Sequence, residues 1–274
     1  MGDPGGATGG GAPLAAGGVS GGDGASSNTG GTSGAPGLGG AGSAGVGALG
    51  GTGGRVSACS GLFCEDFESG QLDLAVWTVK ANQGQTMQVQ GEQVAHGKYA
   101  VQFHGAPNVV SYDFIIASHA PAELRGHHFG RAYFHITPKP PQKHTAFIFA
   151  GTAGFPKLKY LELAESDLGW QLTYVQLTDP TGESYTPATG SVPLGKWVCL
   201  TWEMNDNPDQ IRLSVDGKAA ATFDDISFMG KQSGLVGDFT DFGFGYYAWH
   251  PATYAFDVFY DDIVLDTKPV GCLQ

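Results

Sequence analysis

From Leu62 onward the chain breaks into short runs of alternating or continuous apolar residues separated by turn signals, and no helical period lasts beyond two turns. Thirteen such runs can be read: LFCEDF, TMQVQ, KYAVQF, VVSYDFIIA, RAYFHI, HTAFIFA, KYLELAE, WQLTYVQL, WVCLTWEM, QIRLSV, AAATF, FGFGYY and YAFDVFYDDIVLD. So many short strands in one stretch of chain require two packed antiparallel sheets. The expected fold class is therefore all-β, a two-sheet antiparallel sandwich or jelly roll. The hairpin is plainest where Asp216-Gly217 joins Ile211–Val215 to the run ending at Phe223, because Asp-Gly tolerates the positive φ angles of a tight turn. The longest loop is expected from Asp179 to Lys196.

Composition changes near position 54. Residues 1–54 hold 24 of the 45 glycines, no Lys, Arg, aromatic residue or Cys, and only Asp3 and Asp23 as charges. A segment of that kind cannot bury enough apolar surface to offset its ordering entropy, so it is expected to be a disordered linker spanning roughly 40 Å. Residues 55–274 are then the folded domain. That domain carries all 14 Lys and Arg and 24 of the 26 Asp and Glu, so its formal charge is 14 − 24 = −10. Such a balance argues against nucleic acid and anionic membrane as partners. No apolar run is long enough to span a membrane. The opening M-G-D lacks the basic and apolar segments of a signal peptide, and the linker is expected to follow a removed export signal.

Four cysteines permit three pairings, of which Cys59–Cys64 with Cys199–Cys272 is the one expected. Zinc is a poor alternative, since there is no C-x-x-C and no paired His. Disulfides would agree with an extracellular or cell-surface location.

Alternation also suggests which side chains line a face. In R-A-Y-F-H-I, Ala132, Phe134 and Ile136 belong to a core, and Arg131, Tyr133 and His135 share the opposite face. In K-Y-L-E-L-A-E, Leu161 and Leu163 leave Tyr160 and Glu162 opposite. In H-T-A-F-I-F-A, Phe147 and Phe149 read as core and leave His144 on the other side. Trp170, Leu172 and Tyr174 read equally as core or as a platform for sugar rings. Gly243 and Gly245 thin a strand that delivers Tyr246, Tyr247, Trp249 and His250.

With these stretches in place the domain resembles the cellulose-induced secreted proteins of fungi and their bacterial relatives, which are similar in turn to jelly-roll glucuronan lyases of the concanavalin-A-like sandwich type. The likeness rests on E-D-F-E-S-G with Trp77 following, Val94-Ala95-His96-Gly97, R-A-Y-F-H-I, H-T-A-F-I-F, P-L-G-K-W-V-C, I-R-L-S-V-D-G-K, and F-G-F-G-Y-Y through Y-D-D-I-V-L-D to V-G-C. It implies a concave-faced jelly roll and a disulfide from the Cys199 strand to the C-terminus. It also implies a structural calcium ion held by Glu68 with Asp261 or Asp262, near a loop at His96 to Tyr99 that is a residue shorter here. At the strand Lys159–Ser166, where the relatives carry a basic pair and an amide, this chain has Tyr160, Glu162 and Ser166, so the charge facing the groove changes sign. Arg131 and His144 match, and His135 takes a position that is basic in relatives.

The expected activity is β-elimination on a uronate-containing polysaccharide. Such a lyase must neutralise a carboxylate, remove its α-proton and protonate a leaving oxygen. Arg131 is expected to neutralise, His135 or His144 to act as base, and Tyr133, Tyr246 or Tyr247 as base or acid, all on one sheet. Hydrolysis needs two carboxylates. Glu162 and Glu165 sit three apart and so on opposite faces, and Asp113 would have to supply the second group. A non-catalytic carbohydrate-binding module is the other reading, with Trp170, Tyr174, Tyr246, Tyr247 and Trp249 stacking on sugars, Tyr160 and His250 beside them, and Arg131, His144 and Glu162 bonding hydroxyls. A serine hydrolase finds no G-x-S-x-G, and no phosphate-binding glycine loop lies in the folded part.

Overall fold

The computed structural model describes residues 59–82, 86–118, 120–137, 144–151, 159–176, 183–224 and 239–273. The chain divides into Met1–Thr52 and Gly53–Gln274. The first unit, with the linker expected there, lies outside the described residues, as do 179–182 of the expected long loop. The second unit holds the sandwich.

Among the described residues fifteen strands, numbered in chain order, form two antiparallel sheets. The larger sheet runs β13 (Lys218–Asp224), β12 (Asp209–Val215), β11 (Val198–Asp206), β6 (His127–Thr137), β15 (Phe256–Asp266), β4 (Ala100–Gly105) and β3 (Thr86–Gln90), with β1 (Phe63–Glu65) paired to the far end of β15. The smaller runs β10 (Glu183–Tyr185), β9 (Gly169–Gln176), β8 (Lys159–Ser166), β7 (Thr145–Gly151), β14 (Asp241–Ala248), β5 (Ser111–Ser118) and β2 (Trp77–Ala81). This is a jelly-roll sandwich. Among the described residues the only helical piece is a single 3-10 turn at Ala122–Leu124.

All thirteen runs read from sequence are strands; β2 and β10 are additions. The Asp216-Gly217 turn is present, with φ of 50° and 72°. Asp216 also bonds back across the sheet, accepting from the Cys199 amide through Oδ1 at 2.9 Å. Both expected disulfides form, Cys59–Cys64 and Cys199–Cys272. They fit an oxidising compartment.

One core fills the space between the sheets. Ala132, Phe134 and Ile136 enter it from the larger sheet, and Leu161, Leu163, Trp170, Leu172, Phe244 and Tyr246 from the smaller. A second apolar cluster covers the outer face of the smaller sheet: Phe114, Ile116, Ala146, Phe149, Tyr160, Ala164 and Val175. Phe149 therefore departs from the sequence reading. A register shift between Ala146 and Ile148 breaks the period of two, so Phe147 points inward and Phe149 outward.

Two carboxyl groups are fully buried inside the sandwich. Asp113 is 0% exposed, its oxygens have no hydrogen-bond partner, and burial pushes its pKa up to about 7. Glu165 is also 0% exposed, and burial pushes it up to about 7 although the Leu168 amide donates to Oε2 and pulls back. Both are raised above their unfolded values, so the stability they permit is complete below about pH 4 and lost as pH rises through about 7. His128, lowered by burial to about 4, and His135, also lowered by burial, have the opposite slope, while Asp261, pushed up to about 7, adds to the two interior carboxyls. The melting temperature should fall between about pH 5 and about pH 8, and Asp113→Asn should flatten the decline. A melting temperature that holds constant over that range in the unmodified protein would contradict the assignment.

Candidate functional site

The alternation that builds the core sends the sequence-predicted site residues to two opposite outer faces. Arg131, Tyr133 and His135 lie on the outside of the larger sheet, whereas His144, Glu162, Tyr247, Trp249 and His250 belong to the smaller. The expected single catalytic face therefore does not exist. A sandwich core separates its two halves.

On the larger sheet, Arg131 is 4% exposed and serves the chain's own C-terminal segment: Nη1 donates to the Gly271 carbonyl at 3.1 Å and Nε to the Asp262 carbonyl at 3.4 Å. Tyr133 accepts the Leu273 amide on its hydroxyl at 2.9 Å. Together with Cys199–Cys272 these contacts fasten residues 271–273 over the strand. His135 is 4% exposed and packs against Trp197 and Phe259 at 5.5 and 5.4 Å; burial lowers its pKa. All three are committed to the packing of the chain itself.

Four further expectations are corrected by burial. Trp170 and Tyr174 are core residues because β9 turns them inward, and Tyr160 lies under the outer apolar cluster at 2% exposure. Tyr246 also points inward, donating to the His104 carbonyl at 3.1 Å, and burial raises its pKa far above the phenol range. None of these rings is a sugar platform or an acid at the surface. Asp113 likewise faces the interior and cannot pair with Glu162.

The groups that do converge lie along one row of the smaller sheet. Tyr185, Thr173, Glu162 and Phe149 stand opposite one another on β10, β9, β8 and β7. His144 precedes β7, and its carbonyl accepts the Trp249 amide at 3.2 Å, which ties it to the end of β14. A cavity of about 420 Å³ opens here, lined by His144, Ser166, Gln171, Thr173, Tyr185, Trp249 and His250. That volume lies in the ordinary range for a small-ligand site.

Glu162, 0% exposed, lies behind this lining. Its Oε2 is 3.2 Å from His144 Nε2 and accepts from Trp249 Nε1–H at 3.4 Å. On the other side of the imidazole, Nδ1 is 3.1 Å from Gln171 Oε1, while Gln171 Nε2 donates to the Thr186 carbonyl at 2.8 Å. Burial pulls the His144 pKa down, but the hydrogen bond and charge of Glu162, the Gln171 bond and the more distant Glu165 outweigh it, and the net direction is up. Tyr247 stacks on Trp249 with centroids 4.1 Å apart and planes at 17°. The sign change at Glu162 thus has a different consequence from the one expected. The carboxylate is hidden, and the His144 imidazole, its pKa raised, is the group beside it at the cavity.

Sequence reasoning misses Gln171 and Tyr185. Gln171 can be placed from W-Q-L-T-Y-V once Trp170, Leu172 and Tyr174 are assigned inward. Tyr185 cannot, because a three-residue edge strand inside a loop has no period to read.

The residues expected to hold calcium do not fit a cation as they are arranged. Glu68 Oε1 accepts the amides of Lys98 and Tyr99 at 2.6 and 3.2 Å. Asp261 Oδ2 accepts those of Ala95 and His96 at 3.0 and 3.1 Å, and its Oδ1 that of Asp262 at 2.9 Å. Asp262 Oδ2 meets His96 Nδ1 at 2.6 Å. The loop Ala95–Tyr99 comes between the carboxylates with N–H groups, where calcium wants oxygen. Gly97, with φ of 66°, lets that loop lie against the Glu68 carboxylate, with no room for a side chain. Among the described residues no three His, Cys, Asp or Glu groups gather as a metal site.

No protein-family model matches the chain, and no curated protein does. Among solved structures it is similar to a cellulose-induced protein, with a TM-score of 0.60 and 21% identity over 77% of this chain and 100% of that one. It is also similar to an endo-β-1,4-glucuronan lyase from the fungus Trichoderma reesei, with a TM-score of 0.55 and 16% identity over 75% of this chain and 95% of that one. At these identities the likeness shows a shared fold. Adding a calcium chelator is expected to leave the melting temperature unchanged; a fall reversed by calcium would show that a cation competes with the backbone amides at Glu68 and Asp261.

Proposed function

We propose that this jelly roll acts on a uronate-containing polysaccharide by β-elimination, in the groove of the smaller sheet. The observation that carries the reading is His144, held at the cavity with both ring nitrogens engaged and its pKa raised. An imidazole so held is a poor base and a good fixed cation. It can offset a uronate carboxylate and so make the α-proton acidic. The likeness to a glucuronan lyase fold supports the substrate class.

In the elimination the C–H bond next to the carboxylate breaks, its electrons form the C=C bond, and the glycosidic C–O bond leaves with a proton. Two groups at the cavity are suited to move those protons: the His250 imidazole to take one and the Tyr185 phenol, 65% exposed, to supply the other. Trp249 and Tyr247 form a stacked pair beside them that can support a sugar face. Hydrolysis is less well served. Glu162 is the carboxylate nearest the cavity among the described residues, while Glu165 and Asp113 are turned into the interior. The two disulfides support an extracellular setting, where residues 1–54 would act as a tether.

A second reading, a non-catalytic binding module, is favoured by the same aromatic pair and by the exposed Tyr185 at the rim. The two separate on incubation with glucuronan, alginate, pectin and glucuronoxylan while following the ultraviolet absorbance of the unsaturated product. Elimination predicts a rising absorbance that Tyr185→Phe lowers by about 10² to 10⁴-fold with binding retained. Binding with no absorbance on any polymer would establish the module instead, and new reducing ends without absorbance would establish hydrolysis.

A further inference from the structure

Gln171 touches no group that the proposed reaction changes, yet its amide is the best-determined polar group in the groove. Its orientation has one arrangement that satisfies both neighbours. The Thr186 backbone carbonyl can only accept, so the NH₂ end must face it, at 2.8 Å, and the oxygen must face His144 Nδ1, at 3.1 Å. An oxygen there demands a hydrogen on Nδ1. Nδ1 is therefore the protonated nitrogen in every state of the ring, and Nε2 is the one left to titrate.

Nε2 faces Glu162 Oε2 at 3.2 Å, and two acceptors at that distance need a proton between them. The Trp249 indole N–H, at 3.4 Å from the same Oε2, adds a donor to the carboxylate and favours its ionised form. The proton then belongs to the imidazole. The groups that bear on the ring are Glu162 and Glu165 from β8 and Gln171 from β9, while Tyr185 from β10 and Trp249 and His250 from the segment after β14 line the same cavity.

We infer that Gln171 is a positioning residue which, clamped by the Thr186 carbonyl, forces His144 into the doubly protonated form and so sets the pH range over which the groove presents a fixed cation. The inference deepens the proposed function and rests on the same groove being the working site. This imidazole is unavailable as a base for that reason, and the upper pH limit of the site belongs to a neutral side chain that takes no part in the proton transfers. A clamp of this kind uses β9 and the segment that follows β10, so a backbone carbonyl bears on the charge state of a side chain three strands along the sheet.

The test is nitrogen-15 NMR of the full chain with labelled histidine, the His144 signals being assigned by their absence in His144→Asn. In the unmodified protein both ring nitrogens should carry protons through and above the ordinary histidine range, and the neutral form that appears at higher pH should keep its hydrogen on Nδ1. Gln171→Met removes the acceptor at similar size; it should shift the His144 titration downward and release the tautomer, while Gln171→Glu restores the acceptor and the imidazolium. A neutral His144 with hydrogen on Nε2 in the unmodified protein, or a titration that Gln171→Met leaves in place, would overturn the inference. Should the Met variant fail to fold, seen as collapse of the other histidine signals, the unmodified tautomer alone decides. Since the readout needs no substrate, a protonated, clamped His144 in a protein inactive on every polymer would reject elimination and leave this inference standing.

Discussion

A side chain on a β-strand has two directions available, and a sandwich gives one of them to the core. That restriction decides most of what this molecule can do. Ala132, Phe134 and Ile136 must meet Leu161, Leu163 and Phe244, so Arg131 and Glu162 must leave on opposite outer surfaces. Each surface then acquires a separate task. The larger sheet uses its cation and phenol to fasten residues 271–273, and the smaller uses its imidazole, amide and indole to shape a cavity. Cations that look equivalent in a sequence are thus committed to structure in one case and left accessible in the other.

The fold is legible because alternation and turn chemistry are local. Thirteen runs, the Asp216-Gly217 hairpin and both disulfides can be read without knowing which strands pair. The site is less legible, because alternation says that Arg131 and His135 share a face but not which sheet that face belongs to. Register shifts add to the difficulty. Those between Ala146 and Ile148, Phe244 and Tyr247, and Asp261 and Val264 each interrupt the period of two, and the first is why alternation alone puts Phe149 on the wrong side. Tyr185 and Gln171 escape a sequence reading for a different reason. One lies on a strand too short to have a pattern, and the other matters only through Thr186, 15 residues away in the chain.

Burial governs the electrostatics of both surfaces. Two interior carboxyls are pushed up to about 7 and Asp261 is too, although three backbone amides oppose the shift there. Glu162 is handled differently. It is hidden from solvent but lies against the His144 imidazole and the Trp249 indole N–H. The charge count of the sequence does not describe the groove.

The last strand, β15, lies between β6 and β4 and also carries β1, so it joins the two halves of the larger sheet. Residues 256–266 must be present before either half can be closed, whatever has already formed upstream. A chain emerging from its N-terminal end therefore cannot join β4 to β6, which carry the core-facing residues Val101, Phe103, Phe134 and Ile136, until residues 256–266 are available. Closure of this sheet is in that sense deferred until residue 266 has been made. The pairing that comes last in the sequence is the one on which the rest of the sheet depends.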